Sequence, residues 1–421
     1  MKKTLLRNVT LIDGNGQEPL PSAAVIWDQG KIVEVGLESQ IAVPPGADIL
    51  DGGGGYLMPG FIDSHVHFFA NGIGLEAALM TPPSLVVIHA VHNAEKTLHA
   101  GITSVRDAGG TDAGFKRAQV EGLIQAPRMK IAIKILSITG GHGDEYFPAL
   151  GQVTPLMPMG LVCDGPDEVL KAVREVLRAG ADVIKVATTG GVLSTADHPS
   201  HTQFSPEELN IIVREAGYRG AVPAMAHAQG AEGIKNAIRA GFASIEHGIY
   251  LDDEAIDMML THGTYLVPTL HAPLSVIELA ESERMIGSFV KKAHEVVEIH
   301  QQSIARAYQA GVKIAMGTDC GVGIHGTNLR ELELMCQIGM SPMQAIVAST
   351  KTAAECIGWA GETGTLVPGK WADLVVTREN PLTRIASLKE PSNIALVVQA
   401  GKVVKRTEHI ASGAIGDQHA G

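Results

Sequence analysis

The chain has 421 residues, enough for a large hydrophobic core and for more than one domain. Hydrophobic residues make up 45% of it and charged residues 19%, a composition typical of globular proteins rather than disordered ones. The formal net charge of −12 argues against a general affinity for nucleic acid phosphates or anionic membranes.

The N-terminus has two lysines but no sustained apolar segment behind them, so it predicts a strand and not a signal peptide. No run of eighteen apolar residues occurs, and we therefore expect no membrane span. A cytoplasmic protein is expected, although a removed leader would leave no trace. The cysteines form no Cys-x-x-Cys pair, which argues against both a disulfide framework and a thiolate zinc site.

Both ends of the chain carry similar β-hairpin patterns, one over residues 23–36 and one over residues 394–405. Short β-branched runs broken by glycine turns are typical of strands. The pattern predicts that both ends meet in one small β-sandwich domain, formed by residues 1–57 and 362–406. Residues 407–421, rich in Gly, Ala and His, are expected to form a flexible tail.

The middle of the chain, residues 58–361, alternates apolar β-rich runs with amphipathic stretches. The predicted strands are Gly60–His67, Gly101–Arg106, Lys130–Ser137, Ala181–Thr188, Val222–His227, Ser244–His247, Tyr265–Thr269 and Lys313–Gly317. The predicted helices include Pro166–Arg178, Ser205–Arg219, Ala231–Ala240 and Glu283–Ala310. Pro206, directly after Ser205, marks a helix start. Eight strands alternating with helices predict an α/β fold, a parallel (β/α)8 or TIM barrel.

The first of these strands ends in two histidines, in Gly60-Phe-Ile-Asp-Ser-His-Val-His67. Side chains two positions apart on a strand point to the same face, so His65 and His67 can chelate one divalent ion. Imidazole suits zinc and its neighbours. A lone His-x-His pair is equally compatible with one packed and one solvated histidine, so the residues downstream decide the interpretation.

Reactive side chains also lie at the ends of later predicted strands. Lys185 belongs to strand four, His227 ends strand five, His247 ends strand six and Asp319 follows strand eight. Active sites of TIM barrels lie at the carboxyl ends of the strands, where these side chains would converge with the His-x-His pair. Taken singly, each has a structural alternative, such as a surface lysine, a hydrogen-bonded core histidine or a capping aspartate.

The order His-x-His, Lys, His, His, Asp resembles the metal-dependent amidohydrolase superfamily, and the match covers nearly the whole chain, including the split β-sandwich. The resemblance is greatest to amino-acid amidohydrolases and Xaa-Pro or Xaa-Arg dipeptidases, a subgroup that enzymes hydrolysing ochratoxin A also resemble. The segments that carry it are residues 138–143, 185–191, 245–253 and 325–328.

The resemblance implies two divalent ions, expected to be Zn²⁺, and hydrolysis by a metal-bridging hydroxide. The matching ligands are His65, His67, Lys185, His227, His247 and Asp319. A plain lysine cannot bridge cations because its ammonium has no acceptor and repels metal. In the family this lysine is carbamylated by CO2, which assigns a carbamate to Lys185. Asp319 is expected to carry a proton from the bridging water to the leaving amine.

Other residues are candidates for contact with the substrate. His142 and His271 can donate to the oxyanion or bind a carboxylate, and we count both as catalytic candidates beside Asp319. Tyr250, His325 and Asn328 are candidates for the same pocket, with packing and turn formation as the alternative explanation.

The resemblance predicts a small-molecule substrate, an N-acyl amino acid or dipeptide with a free C-terminal carboxylate, and ochratoxin A fits this class. A homo-oligomer, such as an octamer, is a further expectation from the family. The loop from Phe68 to Pro83 is apolar and is expected to close over a hydrophobic group of the substrate. Its apolar side chains are Phe69, Ile73, Leu75, Leu79 and Met80.

Two alternatives remain open. A cyclic-amide hydrolase or deaminase of the imidazolonepropionase type commonly uses one metal and lacks the bridging lysine, so Lys185 discriminates against it. A non-catalytic scaffold that has lost its metals usually lacks some of the ligands, whereas this chain retains all six.

Overall fold

The computed structural model describes residues 2–70, 80–147, 151–152, 159–194, 196–282 and 287–412. The strands are β1 (Thr4–Leu11), β2 (Leu20–Asp28), β3 (Lys31–Leu37), β4 (Asp48–Pro59), β5 (Phe61–Val66), β6 (Ile102–Asp107), β7 (Arg128–Ile131), β8 (Ile135–Ser137), β9 (Tyr146–Phe147), β10 (Gly151–Gln152), β11 (Gly160–Val162), β12 (Ile184–Ala187), β13 (Ala224–Ala228), β14 (Ser244–His247), β15 (Tyr265–Val267), β16 (Leu374–Thr377), β17 (Ile394–Gln399), β18 (Lys402–Arg406) and β19 (Ala411–Ser412).

The helices alternate with strands through the middle of the chain. They are α1 (Pro83–His99), α2 (Ala113–Val120), α3 (Gly165–Arg178), α4 (Pro206–Gly217), α5 (Ala231–Ala240), α6 (Asp253–His262), α7 (His271–Ser282), α8 (Gly287–Ala310), α9 (Arg330–Gln337), α10 (Pro342–Ala348) and α11 (Lys351–Cys356). Across the described part of the chain, none of them combines the length and the apolar character that a bilayer crossing requires.

The two chain ends share one eight-stranded sheet, in the order β18-β17-β16-β4-β1-β2-β3, with β19 paired to β4. The β2-β3 and β17-β18 hairpins, which are at opposite ends of this strand order, contact each other. Trp27 Nε1 donates a hydrogen bond to the carbonyl of Gly401 at 3.0 Å. One buried apolar cluster joins side chains from both chain ends, including Leu6, Val25 and Leu396. Most of the predicted tail, residues 413–421, lies outside the described residues.

The central strands are parallel and form two groups, β5-β6-β7 and β11-β8-β12-β13-β14-β15. The segment 313–320 hydrogen-bonds to a strand of each group. On one side Ala315 N donates to the carbonyl of Leu266 at 2.9 Å, and on the other Ser64 N donates to that of Met316 at 2.9 Å. This mixed α/β arrangement, with parallel strands and a separate β-sheet, is of the TIM-barrel type.

Three predicted elements differ in detail from the structure. The strand predicted over Lys130–Ser137 is divided into β7 and β8, because Ile133 has a φ of 67° and so leaves the extended conformation. The strand predicted over Lys313–Gly317 forms only an isolated bridge with Leu266. The helix predicted over Glu283–Ala310 is described from Gly287 onward, and residues 283–286 lie outside the described residues.

The helices pack their apolar faces against the outer side of the parallel strands. Val173, Ile212 and Ile238 from three successive helices join the same buried cluster as Ile184 of β12. The start of α4 agrees with the prediction from Ser205 and Pro206, since Ser205 and Glu208 form a reciprocal capping box. This packing holds the strands in place, and with them the reactive side chains at their carboxyl ends.

Candidate metal centre

Four of the six predicted ligands converge at the carboxyl end of the parallel strands. The Nε2 atoms of His65 and His67 lie 3.5 and 3.4 Å from Oδ1 of Asp319. One ligand atom from each of these three residues lies within 4.8 Å of the other two, a spacing that suits a metal ion. Lys185 Nζ lies 3.3 Å from His65 Nε2.

The two remaining predicted ligands, His227 and His247, lie next to this group, with ring-to-ring contacts. The ring centroid of His247 lies 5.2 Å from that of His65 and 4.5 Å from that of His227. His227 stacks in turn on His142, with centroids 4.0 Å apart and ring planes 15° from parallel. The structure therefore places all six predicted ligands and His142 in one continuous cluster.

Three of the imidazoles each donate one ring N–H to a fixed oxygen of the protein. The pairs are His65 Nδ1 with Glu246 Oε2 at 2.8 Å, His67 Nδ1 with the carbonyl of Gly109 at 2.9 Å, and His227 Nε2 with the carbonyl of Gly190 at 3.2 Å. Because these oxygens accept the proton-bearing nitrogen, the opposite ring nitrogen keeps its lone pair. Such contacts select the tautomer that can bind a metal.

Burial keeps the imidazoles neutral. It lowers the pKa of His67 to about 3, assisted by the positive charge of Lys185, and it lowers the pKa values of His65, His227 and His247 well below their usual range. A neutral imidazole is the form that binds metal ions. The four rings are therefore in the protonation state that a ligand needs.

Lys185 and Asp319 are perturbed in opposite directions by the same cause. Burial lowers the pKa of Lys185 to about 8, although the charges of Glu246 and Asp319 favour its ammonium form. Burial raises the pKa of Asp319 to about 7, although the charge of Lys185 opposes the shift. Strongly shifted groups that lie together are typical of functional sites.

The backbone is strained at three positions around the candidate site, two of which are candidate ligands. His247, Thr269 and Asp319 have φ values of 73°, 50° and 59°, in the left-handed region that non-glycine residues seldom adopt. Hydrogen bonds hold two of them in place: Asp319 N donates to the carbonyl of His65 at 2.7 Å, and His300 Nε2 donates to the carbonyl of His247 at 2.9 Å. His300, on α8, is a supporting residue that the sequence analysis missed.

Asp63 is a second residue that the sequence analysis missed. Its fully buried carboxylate accepts hydrogen bonds from His65 N, from both N and Oγ1 of Thr318, and from Asn328 Nδ2, at 2.7 to 3.1 Å. It thereby joins β5 to the segment that carries Asp319. Strand alternation could have identified it, because Asp63 lies two residues before His65 and so shares its face.

Two of the predicted pocket residues form hydrogen bonds with β5 or with His67, which follows it. Asn328 is fully buried and bound to Asp63. His325 Nε2 donates to the carbonyl of His67 at 3.1 Å, and its Nδ1 lies 3.3 Å from Thr97 Oγ1. Both residues therefore hold β5 and the adjoining His67 in place through hydrogen bonds within the protein.

The other predicted contacts lie around the cluster. His142 Nδ1 lies 3.4 Å from Ser194 Oγ. His271 begins α7 and is buried, and its Nδ1 has no hydrogen-bond partner among the described residues. Tyr250 is half-buried and packs on a cluster that includes Ile249.

The predicted apolar loop after β5 is only partly described. Residues 71–79, with Ile73, Leu75 and Leu79, lie outside the described residues. Phe69 packs edge-on against Phe115, with ring centroids 5.3 Å apart, and Met80 is exposed.

Lys292 of α8 fastens the loop that follows β12. Its ammonium donates to the carbonyls of Gly191, Ser194 and Asp197 at 3.0, 2.9 and 2.7 Å. Gly191 lies against His142, where a Cβ atom would come within 2.3 Å of the ring. Lys292 therefore fixes a loop that touches the cluster.

Known proteins are similar to this chain over most of its length. Residues 56–404 match the model of the amidohydrolase family. The chain is 35% identical to ochratoxinase from Aspergillus niger over 436 aligned residues, covering 96% of this chain and 87% of that protein. The crystal structure of A. niger ochratoxinase superposes with a TM-score of 0.84 at 33% identity and covers 96% of each chain.

Two further proteins are similar to this chain. A crystal structure of a Xaa-Pro dipeptidase with methionine bound in its active site gives a TM-score of 0.88 at 34% identity, covering 96% of this chain and 99% of the other. Imidazolonepropionase from Geobacillus sp. (strain WCH70) is 24% identical over 409 residues, covering 91% of this chain and 90% of that protein.

Replacing Lys292 tests whether it fastens the loop. Lys292→Met removes three charge-assisted hydrogen bonds, each worth roughly 1.5–3 kcal/mol. We expect faster amide hydrogen exchange in residues 189–194 and 196–203 than in the wild type. Lys291→Met is the matched control, because Lys291 is 79% exposed on the same helix and lies 3.9 Å from Glu295. Equal exchange in the two variants would contradict this role.

Proposed function

Because this chain belongs to the amidohydrolase family, we propose that it is a binuclear metal-dependent hydrolase that cleaves the amide bond of N-acyl amino acids or dipeptides, with ochratoxin A among its candidate substrates. The broader activity follows from the family and its relatives: the protein is a hydrolase of amide or peptide bonds. The observation that carries the proposal is the convergence of His65, His67 and Asp319 with Lys185. We take the parallel strands that bear them to close into a (β/α)8 barrel.

The donor set fits a pair of divalent ions. His65, His67 and Asp319 would hold one ion, and His227 and His247 the other. Neutral imidazoles and a carboxylate are the ligands that zinc and its neighbours accept.

In a centre with two ions, Lys185 would need a covalent modification. Two cations placed close together need an anion between them, which an ammonium cannot supply. A carbamate on Lys185 would supply it, and Nζ already lies 3.3 Å from His65 Nε2. Burial favours the neutral amine that reacts with CO2, since it lowers the pKa of this lysine to about 8.

When bound, the ions would supply an activated water and polarise the scissile carbonyl. The rest of the proposed reaction belongs to side chains of this chain. Asp319 takes a proton from the attacking water and gives it to the amine nitrogen as the C–N bond breaks. Its side chain is 13% exposed, whereas that of His65 is 1% exposed, so Asp319 is the more accessible of the two. His142 and His271 are the proposed contacts for the carbonyl oxygen or the substrate carboxylate.

An apolar cluster near the candidate ligands is evidence that the substrate carries a hydrophobic group. Val192 follows the strand of Lys185, Ile249 follows His247 closely, and both pack in one cluster. The half-buried apolar side chains packed on that cluster are Leu193, Tyr250, Ile277 and Val322. They come from loops and helices that follow the strands of the candidate ligands, which suits an apolar side chain or acyl group.

The alternative is a cyclic-amide hydrolase or deaminase of the imidazolonepropionase type, which the similarity to a Geobacillus protein supports at lower identity. The position of Lys185 favours the binuclear assignment, because the alternative commonly lacks this lysine.

Substrate and metal requirements test the proposal together. Purified protein should hold two equivalents of divalent metal and hydrolyse N-acyl-Phe, N-acyl-Pro and ochratoxin A in preference to N-acyl-Arg. Prolonged chelation should abolish activity, and Zn²⁺, Co²⁺ or Mn²⁺ should restore it. A preference for N-acyl-Arg would refute the apolar pocket, and activity unaffected by chelation would refute the metal requirement.

Asp319→Asn should separate proton transfer from folding. The amide keeps the shape and an oxygen ligand but cannot carry the proton, so kcat should fall by roughly 10²–10⁴. Circular dichroism and metal analysis should show a folded variant with most of its metal. Near wild-type turnover would remove Asp319 as the proton carrier.

Lys185→Ala should abolish activity because it removes the proposed bridge. A short carboxylic acid, such as acetate or propionate, should restore part of the activity by occupying the vacated position. The same acids should leave the wild-type rate unchanged. If none of them raises the activity of Lys185→Ala, the bridging role is contradicted.

A further inference from the structure

A buried ion pair contacts His65, one of the candidate ligands. Arg106 of β6 donates from Nη2 to Glu246 Oε1 at 2.9 Å, and Glu246 Oε2 accepts from His65 Nδ1 at 2.8 Å. The three side chains are 2%, 0% and 1% exposed, respectively. They join residues of three strands that lie far apart in the sequence.

The two oxygens of this carboxylate have different partners, so it is held in one orientation. Oε1 accepts from Arg106 and from the hydroxyl of Ser244, which leaves Oε2 facing His65. The guanidinium is fixed as well, because Arg106 Nε donates to the carbonyl of Ser64 at 2.8 Å, next to His65 in β5. Such a carboxylate and guanidinium can turn only if several buried hydrogen bonds break together.

An ion pair that only stabilised the fold would not need to contact a candidate metal ligand. A buried Arg–carboxylate pair can often be replaced by apolar groups without loss of stability, so its presence alone says little about stability. Here Oε2, the oxygen that does not bind Arg106, presents an acceptor to His65 Nδ1. That acceptor requires the N–H at Nδ1 and leaves the lone pair at Nε2, which faces Lys185 and Asp319.

We propose that Glu246 and Arg106 are positioning residues that hold His65 in the tautomer and orientation required for metal binding. The inference rests on the proposed metal-dependent function and adds two residues to it. Arg106 acts through Glu246, and Glu246 acts through His65, so neither is a ligand. Partners of this kind typically contribute 10–100-fold to metal affinity.

Glu246→Gln gives a sharp test because an amide is asymmetric. Arg106 donates to the Oε1 position and therefore attracts the amide oxygen there. The NH2 group is then directed at His65 Nδ1, which has to accept. His65 is driven to the tautomer with its proton on Nε2, where the metal would bind.

The measurement is metal retention, with no assay of activity. Protein loaded with Zn²⁺ or Co²⁺ alone is dialysed against graded chelator, the metal that remains is counted, and circular dichroism reports folding. We expect Glu246→Gln to fold and to lose metal at roughly 10–100-fold lower chelator than the wild type. Glu215→Gln is the matched control, because Glu215 is 8% exposed and pairs with Arg174 at 2.9 Å without contact to a candidate ligand. It should retain metal like the wild type.

The double variant Arg106→Met/Glu246→Gln separates positioning from a purely structural role. Without the guanidinium the amide is free to turn its oxygen toward His65 Nδ1 and restore the tautomer. We expect the double variant to retain metal better than Glu246→Gln alone, because the second substitution removes the group that fixes the amide in the wrong orientation. A structural ion pair predicts that the double variant retains metal no better than the single one.

The outcomes distinguish this inference from the function on which it rests. A wild-type protein that binds neither Zn²⁺ nor Co²⁺ would overturn both. Wild-type retention by Glu246→Gln would overturn the positioning role and leave the proposed function standing. If Glu246→Gln does not fold, the double variant carries the test, because it removes both buried charges; a folded double variant that loses its metal at the first chelator step overturns the inference.

Discussion

The orientation of the buried imidazoles is the constraint on which this site depends. A histidine can bind a metal only through a nitrogen that carries no proton, and the protein decides which nitrogen that is by what it offers to the other one. His65, His67 and His227 each direct one N–H at a fixed oxygen, a carboxylate in the first case and a backbone carbonyl in the other two. The protein itself supplies all three of these acceptor oxygens, which supports the metal-dependent chemistry proposed for this amidohydrolase.

This arrangement is costly for the fold because it buries charge. Arg106, Lys185, Glu246 and Asp63 lie almost entirely out of contact with solvent. Burying charges costs several kcal/mol each unless they are paired and hydrogen-bonded. Glu246 is paired with Arg106, and Asp63 offsets the cost through four hydrogen bonds that also tie two chain segments together. The charged groups that hold the candidate ligands in place are thus also the groups that need ion-pair or hydrogen-bond partners in order to be buried.

Much of the fold and of the candidate site could be predicted from local patterns. Apolar runs of strand length located the parallel strands, and alternation placed His65 and His67 on one face, as the structure has them. Local patterns failed where a long-range contact sets the backbone. The kink at Ile133, which divides one predicted strand into two, has no signal in the apolar run around it. The contacts of His325 with the carbonyl of His67 and of Asn328 with Asp63 also join distant parts of the chain, and no local pattern indicated them.

The sequence by itself determined which residue types stand at the ends of which strands, because the period of a strand and the length of an apolar run are local properties. The resemblance to a family rested on that order and on a few short segments around these residues. Only the tertiary structure decided which nitrogen of each imidazole is free, which carboxylate is held by a guanidinium and which lysine fastens a loop. Arg106 and Glu246 are 140 positions apart, and Lys292 and Gly191 are 101 apart. Contacts at such separations depend on how the strands and helices pack, and no local pattern of residues encodes them.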